Sequence, residues 1–178
     1  ALKDTDPVQK VSIVSRGRAG GYTLKLPLEE MRLKTKSQFL ADLAMLMGGY
    51  VAEQETFEDI STGASNDLKE ASEISRRLVT KYGMSELGPI TFGKAEELVF
   101  LGKEIGVEKN YSEDVAAKID AQVSGFMLRA YETAKKILRS RKRVLDVIAK
   151  TLIEKETLEQ DEFEALLKPF QLKPIAIG

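Results

Sequence analysis

The stretch Ser61-Thr62-Gly63-Ala64-Ser65-Asn66-Asp67-Leu68-Lys69-Glu70-Ala71-Ser72-Glu73-Ile74-Ser75-Arg76-Arg77-Leu78-Val79-Thr80-Lys81-Tyr82 decides how this chain is read. At about 100° per residue, Ala64, Leu68, Ala71, Ile74, Leu78 and Tyr82 fall on one face. Lys69, Glu73, Arg76 and Arg77 fall on the other. That pattern predicts a helix buried along one side, with Thr62 as N-cap and Gly83 as its stop. Asp67 breaks the pattern, since it lies inside the apolar stripe beside Ala71, Ile74 and Leu78. A carboxylate facing a core costs several kcal/mol unless it is paired, hydrogen-bonded or bound to a metal. Two readings follow. Asp67 accepts hydrogen bonds from first-turn N–H groups and suits the helix dipole, or it is a functional ligand.

Upstream, a helix is expected after Thr35 or Ser37. Phe39, Leu43, Leu46 and Tyr50 share one face, with Leu40 and Met47 beside it. Gly48-Gly49 inside that helix costs about 1 kcal/mol per glycine, which points to close approach of another helix. Met45 and Met47 read as core filling rather than as ligands. Nearer the start, Val11 and Ile13, then Tyr22, Leu24 and Leu26, alternate with polar residues, as half-buried strands do. A hairpin is expected, joined through residues 17–21. Gly21, Tyr22, Thr23 and Leu24 are candidates for an edge to which an extended peptide adds by main-chain hydrogen bonds; the alternative is a plain β-ribbon.

Downstream, residues 83–106 read as loop, with Gly88-Pro89 as a turn. Ser112 then caps a long helix with Glu113 and Asp114 in its first turn and a stripe of Val115, Ile119, Phe126, Ala130 and Ile137. A second helix carries Val144, Leu145, Ile148, Leu152 and Ile153, and the short link predicts an antiparallel helical hairpin. The basic run Arg139 to Arg143 at that link reads as a solvated turn. Thr157 to Leu167 reads as a turn and short helix. The fold class is therefore mainly α with a small β-ribbon near the N-terminus, one domain over residues 1–167, and a loose tail over 168–178.

The 178 residues suffice for one sizeable core. Charged residues make up 31% but nearly cancel, to a net charge of −1, which argues against nucleic acid as a partner. There is no cysteine and no histidine, so disulfides, thiolate sites and imidazole ligands are excluded. No apolar run approaches the roughly 18–20 residues that span a bilayer. No Gly-x4-Gly-Lys phosphate loop is present, so ATP hydrolysis by that route is excluded.

A series of motifs carries a resemblance: Lys10-Val11-Ser12-Ile13-Val14-Ser15-Arg16-Gly17-Arg18-Ala19, Gly21-Tyr22-Thr23-Leu24, Thr35-Lys36-Ser37, Leu46-Met47-Gly48-Gly49 with Ala52-Glu53, Thr62-Gly63-Ala64-Ser65-Asn66-Asp67-Leu68, Tyr82-Gly83-Met84-Ser85, Leu87-Gly88-Pro89-Ile90 and Leu152-Ile153-Glu154-Lys155-Glu156-Thr157-Leu158. To about Leu167 the chain resembles the helical peptidase domain of the FtsH family, membrane-anchored AAA+ zinc metalloproteases. The resemblance implies Zn2+ as cofactor and Asp67 as its third protein ligand. Two departures stand out: Tyr50 replaces an Arg usual in the family, and the loop between Ser85-Glu86 and Leu87 is one residue short.

The family's His-Glu-x-x-His helix lies just before the stretch matched by Asp6-Pro7-Val8-Gln9-Lys10. Ala1-Leu2-Lys3 resembles its end, so the other two ligands and the general base are expected upstream. An apolar patch is expected where that helix would pack, with Asp67 in a concave groove. This chain alone is expected to be inactive. For the whole protein the resemblance implies attack of a zinc-activated water on a peptide carbonyl. ATP and Mg2+ enter only through an ATPase module outside this chain. Unfolded membrane and cytosolic proteins are the implied substrates, a homohexamer the assembly, and a membrane anchor the address. The protease domain then lies in the bacterial cytoplasm, mitochondrial matrix or chloroplast stroma. The alternatives are a pseudoprotease that serves assembly without a catalytic zinc, and a helical adaptor that only binds partners.

Overall fold

The computed structural model describes residues 2–3, 5–15, 21–25, 33–93 and 111–176. Helix α1 (Lys36–Phe57) begins at a capping box: the Thr35 hydroxyl accepts from the Gln38 N–H, and the Gln38 side chain accepts from the Thr35 N–H. It packs along both α2 (Ser65–Thr80) and α3 (Glu113–Ser140). Covered on two sides, α1 buries a wider arc than a single stripe. Ala41, Leu43, Ala44, Met47 and Val51 are buried, while Phe39, Leu46 and Tyr50 pack at the rim. Leu43, Met47 and Val51 meet Ala71, Ile74, Leu78 and Val79 of α2 and Ile119, Phe126, Ala130 and Ala134 of α3 in one core. Mainly α architecture is thus what forms.

Helix α2 starts later than its sequence predicts. Thr62 does not cap it: α2's N-cap is Ala64, which makes no side-chain bond, and Thr62–Ala64 form a 3-10 turn that leads into α2 and is itself capped by Ser61, whose hydroxyl accepts from the Gly63 N–H at 3.0 Å. Its stop falls as expected. Gly83 takes φ +61, where a Cβ would stand 3.0 Å from Pro89 Cα, so both conformation and space require glycine. The chain turns twice here: the Gly88 N–H donates to the Ser85 carbonyl at 3.4 Å across Glu86-Leu87, and the expected turn at Gly88-Pro89 is closed by the Ile90 N–H on the Gly88 carbonyl at 2.9 Å. The rest of the expected loop, residues 94–106, lies outside the described residues.

The expected ribbon is β1 (Val8–Ser12) against β2 (Tyr22–Lys25), antiparallel, with Val11 opposite Thr23. Residues 16–20 and 26 of the expected hairpin lie outside the described residues. A third strand joins from far along the chain. β3 (Thr157–Glu159) pairs with the other side of β1, placing Val11 opposite Leu158, in the order β2-β1-β3. Leu158 is buried, and the Ser12 and Thr157 hydroxyls lie 2.9 Å apart in a hydrogen bond. The chain then forms α5 (Gln160–Leu167) and a 3-10 turn at Lys168–Phe170.

Helix α4 (Lys142–Lys155) does not fold back along α3. Arg141 alone joins the two helices (φ −122, ψ 24), and its N–H still bonds to the Ile137 and Leu138 carbonyls. One residue bends the path but cannot reverse it, whereas helical hairpins need loops of about 2–5 residues. The α3 stripe is spent on α1 and α2, and Ile153 of α4 is left 74% exposed. The C-terminal stretch is tied back at two points. The Arg141 guanidinium donates to the Lys173 carbonyl at 2.6 Å, and Ile175 bridges to Leu2, its carbonyl accepting from the Lys3 N–H at 3.0 Å. Among the described residues, no helix is long and apolar enough to cross a membrane.

The basic junction is more than a solvated turn. Arg139 grips Glu55 of α1 through two nitrogens, at 2.7 and 3.0 Å. That hydrogen bond holds the Glu55 carboxyl below its ordinary value of 4.5, against the opposing effect of burial and with help from the charges of Arg139, Lys135 and Lys142. A carboxyl with a lowered folded pKa stabilises the fold above its unfolded pKa and loses that effect as pH falls through the folded value. Glu55→Gln should therefore lower the melting temperature near neutral pH. The gap to the unaltered chain should close as the medium is acidified below 4.5. A gap independent of pH would show that the ion pair does not contribute.

Candidate metal-ligand site

The site is assembled where the C-terminal half of α1 meets the entry to α2. Glu53 on α1 accepts two hydrogen bonds from Ser61, one from its N–H at 2.7 Å and one from its hydroxyl at 2.9 Å. Ser61 in turn caps the 3-10 turn, and the buried Ala64 seats that turn against the core. Asp67 is then the third residue of α2, in its first turn. One helical turn before Glu53, Gly49 presents its bare Cα to the Asp67 carboxylate; a Cβ there would lie 3.8 Å from Oδ2. A Cβ at that distance would make an ordinary van der Waals contact, so the close helix approach expected of the glycine pair is not seen at Gly49. A Cβ on Gly48 would meet nothing.

Asp67 is half-buried, and among the described residues its carboxylate makes no hydrogen bond and no ion pair. The capping explanation predicts such a bond, yet α2 has no side-chain cap at its N-terminus. What survives of that explanation is the dipole, worth about 0.3–1 kcal/mol for an acid in a first turn. A part-buried carboxylate without a protein partner, flanked by a glycine, has the chemistry of a hard-oxygen metal ligand. Asp67 therefore fits one ligand position. The rest of a zinc shell is not present: among the described residues no three His, Cys, Asp or Glu side chains converge, and the sequence contains neither histidine nor cysteine.

The candidate peptide edge lies in the ribbon. β2 is an outer strand of the sheet, which is the placement that strand addition requires. Thr23 and Leu24 are exposed, Gly21 and Tyr22 half-buried. Gly21 has a packing role of its own, since a Cβ there would lie 2.6 Å from the Ser12 carbonyl oxygen. From the end of β2 at Lys25, a groove of about 680 Å3 runs past Phe39 and Leu46 of α1 to Glu70 and Ile74 of α2. Phe39 and Tyr82 stack at its wall, ring centres 5.4 Å apart. Asp67 does not line this groove, which reaches α2 only from Glu70 onward.

The Glu53 clamp is absent from the residues that the sequence singled out for chemistry. Its one signal was position, one helical turn after Gly49 and inside a motif of the resemblance.

Residues 1–166 match the family described as Peptidase family M41. The chain is 51% identical over 178 residues to "ATP-dependent zinc metalloprotease FtsH 1" of Thermomicrobium roseum, covering 99% of this chain and 27% of that protein. It is 50% identical over 181 residues to "ATP-dependent zinc metalloprotease FtsH" of Chloroflexus aggregans, again covering 99% of this chain and 27% of the relative. With the protein of the same name from Thermotoga maritima it shares 48% over 164 residues, 91% of this chain and 27% of that one. The chain spans about a quarter of the length of the curated relatives it matches.

Proposed function

The chain belongs to peptidase family M41, and from that premise we propose that it is the protease part of an ATP-dependent zinc metalloendopeptidase, with Asp67 as one zinc ligand. The observation that carries the reading is the Asp67 carboxylate, half-buried in an apolar stripe with no partner among the described residues. The two other ligands and the general base come, on this proposal, from a His-Glu-x-x-His helix outside this chain. Zinc, when bound, acidifies a water and polarises the scissile carbonyl. This chain's share is to hold one oxygen ligand fixed at the start of α2. Its outer strand β2 lays an extended substrate along the sheet by main-chain hydrogen bonds, which read little side-chain identity. That suits unfolded membrane and cytosolic proteins as substrates. ATP with Mg2+, the hexamer and the membrane anchor belong to segments outside these residues.

The reading has a direct test. Purified chain 1–178, incubated with casein and zinc, should show no chelator-sensitive cleavage, whereas the full-length protein should cleave casein when supplied with ATP and zinc. Chelator-sensitive cleavage by the chain alone would overturn the assignment of the missing ligands. A full-length protein that binds ATP yet never cleaves, with or without zinc, would establish an assembly role instead.

A further inference from the structure

We propose that Glu53 is a positioning residue for the Asp67 ligand: it fixes the entry to α2, and thereby the place of the carboxylate, without itself touching the metal. The proposal rests on the reading of Asp67 as a zinc ligand. Its own support lies in the contacts between α1 and the turn before α2. The two Glu53 carboxylate oxygens divide the work, Oε2 taking the Ser61 N–H at 2.7 Å and Oε1 the Ser61 hydroxyl at 2.9 Å. Having donated its proton to Glu53, the hydroxyl has lone pairs left to accept from the Gly63 N–H at 3.0 Å. The three groups form one relay from α1 to the backbone of the 3-10 turn. Charge-assisted bonds of this kind are about twice as strong as neutral ones.

Gly63 shows how closely the relay is packed. A Cβ there would lie 3.0 Å from Glu53 Oε1 and 3.1 Å from Ser61 Oγ, so any side chain pushes against the clamp itself. Only Ala64 separates this glycine from Ser65, the first residue of α2, and Asp67 follows two residues later. A shift of the turn is therefore carried into the helix register rather than absorbed by a flexible loop. The same face of α1 acts twice. Glu53 holds the turn in place, and Gly49, one helical turn earlier, lies beside the carboxylate that the turn delivers. A metal ligand that has no protein hydrogen bond of its own depends on its backbone for aim, so the clamp on that backbone takes the part that an outer-shell partner plays elsewhere.

The experiment uses the full-length protein and four variants: Glu53→Ala, Glu53→Gln, Gly63→Ala and Asp67→Ala. Zinc affinity is measured by competition with a chromogenic chelator, the visible spectrum is recorded with cobalt in place of zinc, and thermal unfolding is followed in parallel. Glu53→Ala and Gly63→Ala should each weaken zinc by about 10–100-fold, the range for outer-shell partners, and should shift the cobalt bands of the folded protein. Glu53→Gln should recover most of the affinity, since its amide oxygen still accepts from Ser61. A lower melting temperature with unchanged zinc affinity and cobalt bands would make the clamp merely structural and overturn the proposal. If Glu53→Ala does not fold, unchanged metal binding in Gly63→Ala would overturn it equally. Asp67→Ala separates the two layers. If that variant has lost its zinc while the Glu53 and Gly63 variants bind normally, only the positioning role fails. If it keeps its zinc, the ligand reading fails and the proposal with it.

Discussion

Asp67→Ala in the full-length protein is expected to abolish proteolysis and to weaken zinc by more than about a hundredfold. The scale comes from outer-shell partners, whose loss alone costs 10–100-fold; a catalytic zinc held by three protein ligands has none to spare. The same substitution should behave differently in the isolated chain. There the carboxylate has no protein partner among the described residues, so its removal leaves no group unsatisfied. What is lost is the dipole contribution of about 0.3–1 kcal/mol, and what is gained is relief of a part-buried charge. A melting temperature nearly unchanged or slightly raised is expected. A fall of several degrees would reveal a structural partner for Asp67 and return it to the capping explanation. Asp67→Ala that folds, binds zinc and cleaves casein in the full-length protein would remove the residue from the site.

The largest effect on stability is expected at Phe126. Its ring is 1% exposed and sits where α3 enters the core shared with α1 and α2. The Arg129 guanidinium carbon lies 4.8 Å from the ring centre, so the side chain also supports a cation on the outer side of α3. Phe126→Ala removes buried apolar surface and leaves a cavity that three packed helices cannot close, at a cost of about 3–5 kcal/mol. Urea unfolding should show a lower midpoint with an unchanged slope. Leu128, two residues away and 62% exposed, supplies the control: its change to alanine should stay within about 0.5 kcal/mol. Comparable effects at the two positions would mean that the packing face of α3 has been misassigned.

Much of this fold was legible because helices with one buried face write that face into the sequence. Ala71, Ile74 and Leu78 of α2 and Ile119, Phe126 and Ala130 of α3 are buried at the positions that the 3.6-residue period assigned. Ser112 caps α3 as its residue type suggests, accepting from the Val115 N–H. The misses have physical causes. β3 is three residues long, too short for alternation to register, and its strand character comes from pairing with β1 some 145 residues earlier, as the Ser12–Thr157 contact shows. The antiparallel arrangement of α3 and α4 failed because the link is the single residue Arg141, and the number of residues in a link sets whether a chain can turn back. Thr62 does not cap α2 because it opens a 3-10 turn before the helix, a turn capped by Ser61, which Glu53 holds from α1 through a contact that no local rule contains.

At the site, the sequence exposed the anomaly and the structure supplied its environment. Asp67 stood out by its place in an apolar stripe, but only the folded chain reveals that first-turn N–H groups do not engage it and that Gly49 faces it. A groove does pass close by, along Glu70 and Ile74 of α2. It depends on how α1, α2 and β2 diverge, which periodicity along one helix does not encode.

The central claim, that Asp67 is a zinc ligand, is tested most directly by metal content. Full-length protein and its Asp67→Ala variant, purified identically and dialysed against a weak chelator, are compared by mass spectrometry for zinc per folded chain. The expected result is one zinc in the unaltered protein and close to none in the variant, with both folded by circular dichroism. One full zinc per chain in the folded variant would contradict it.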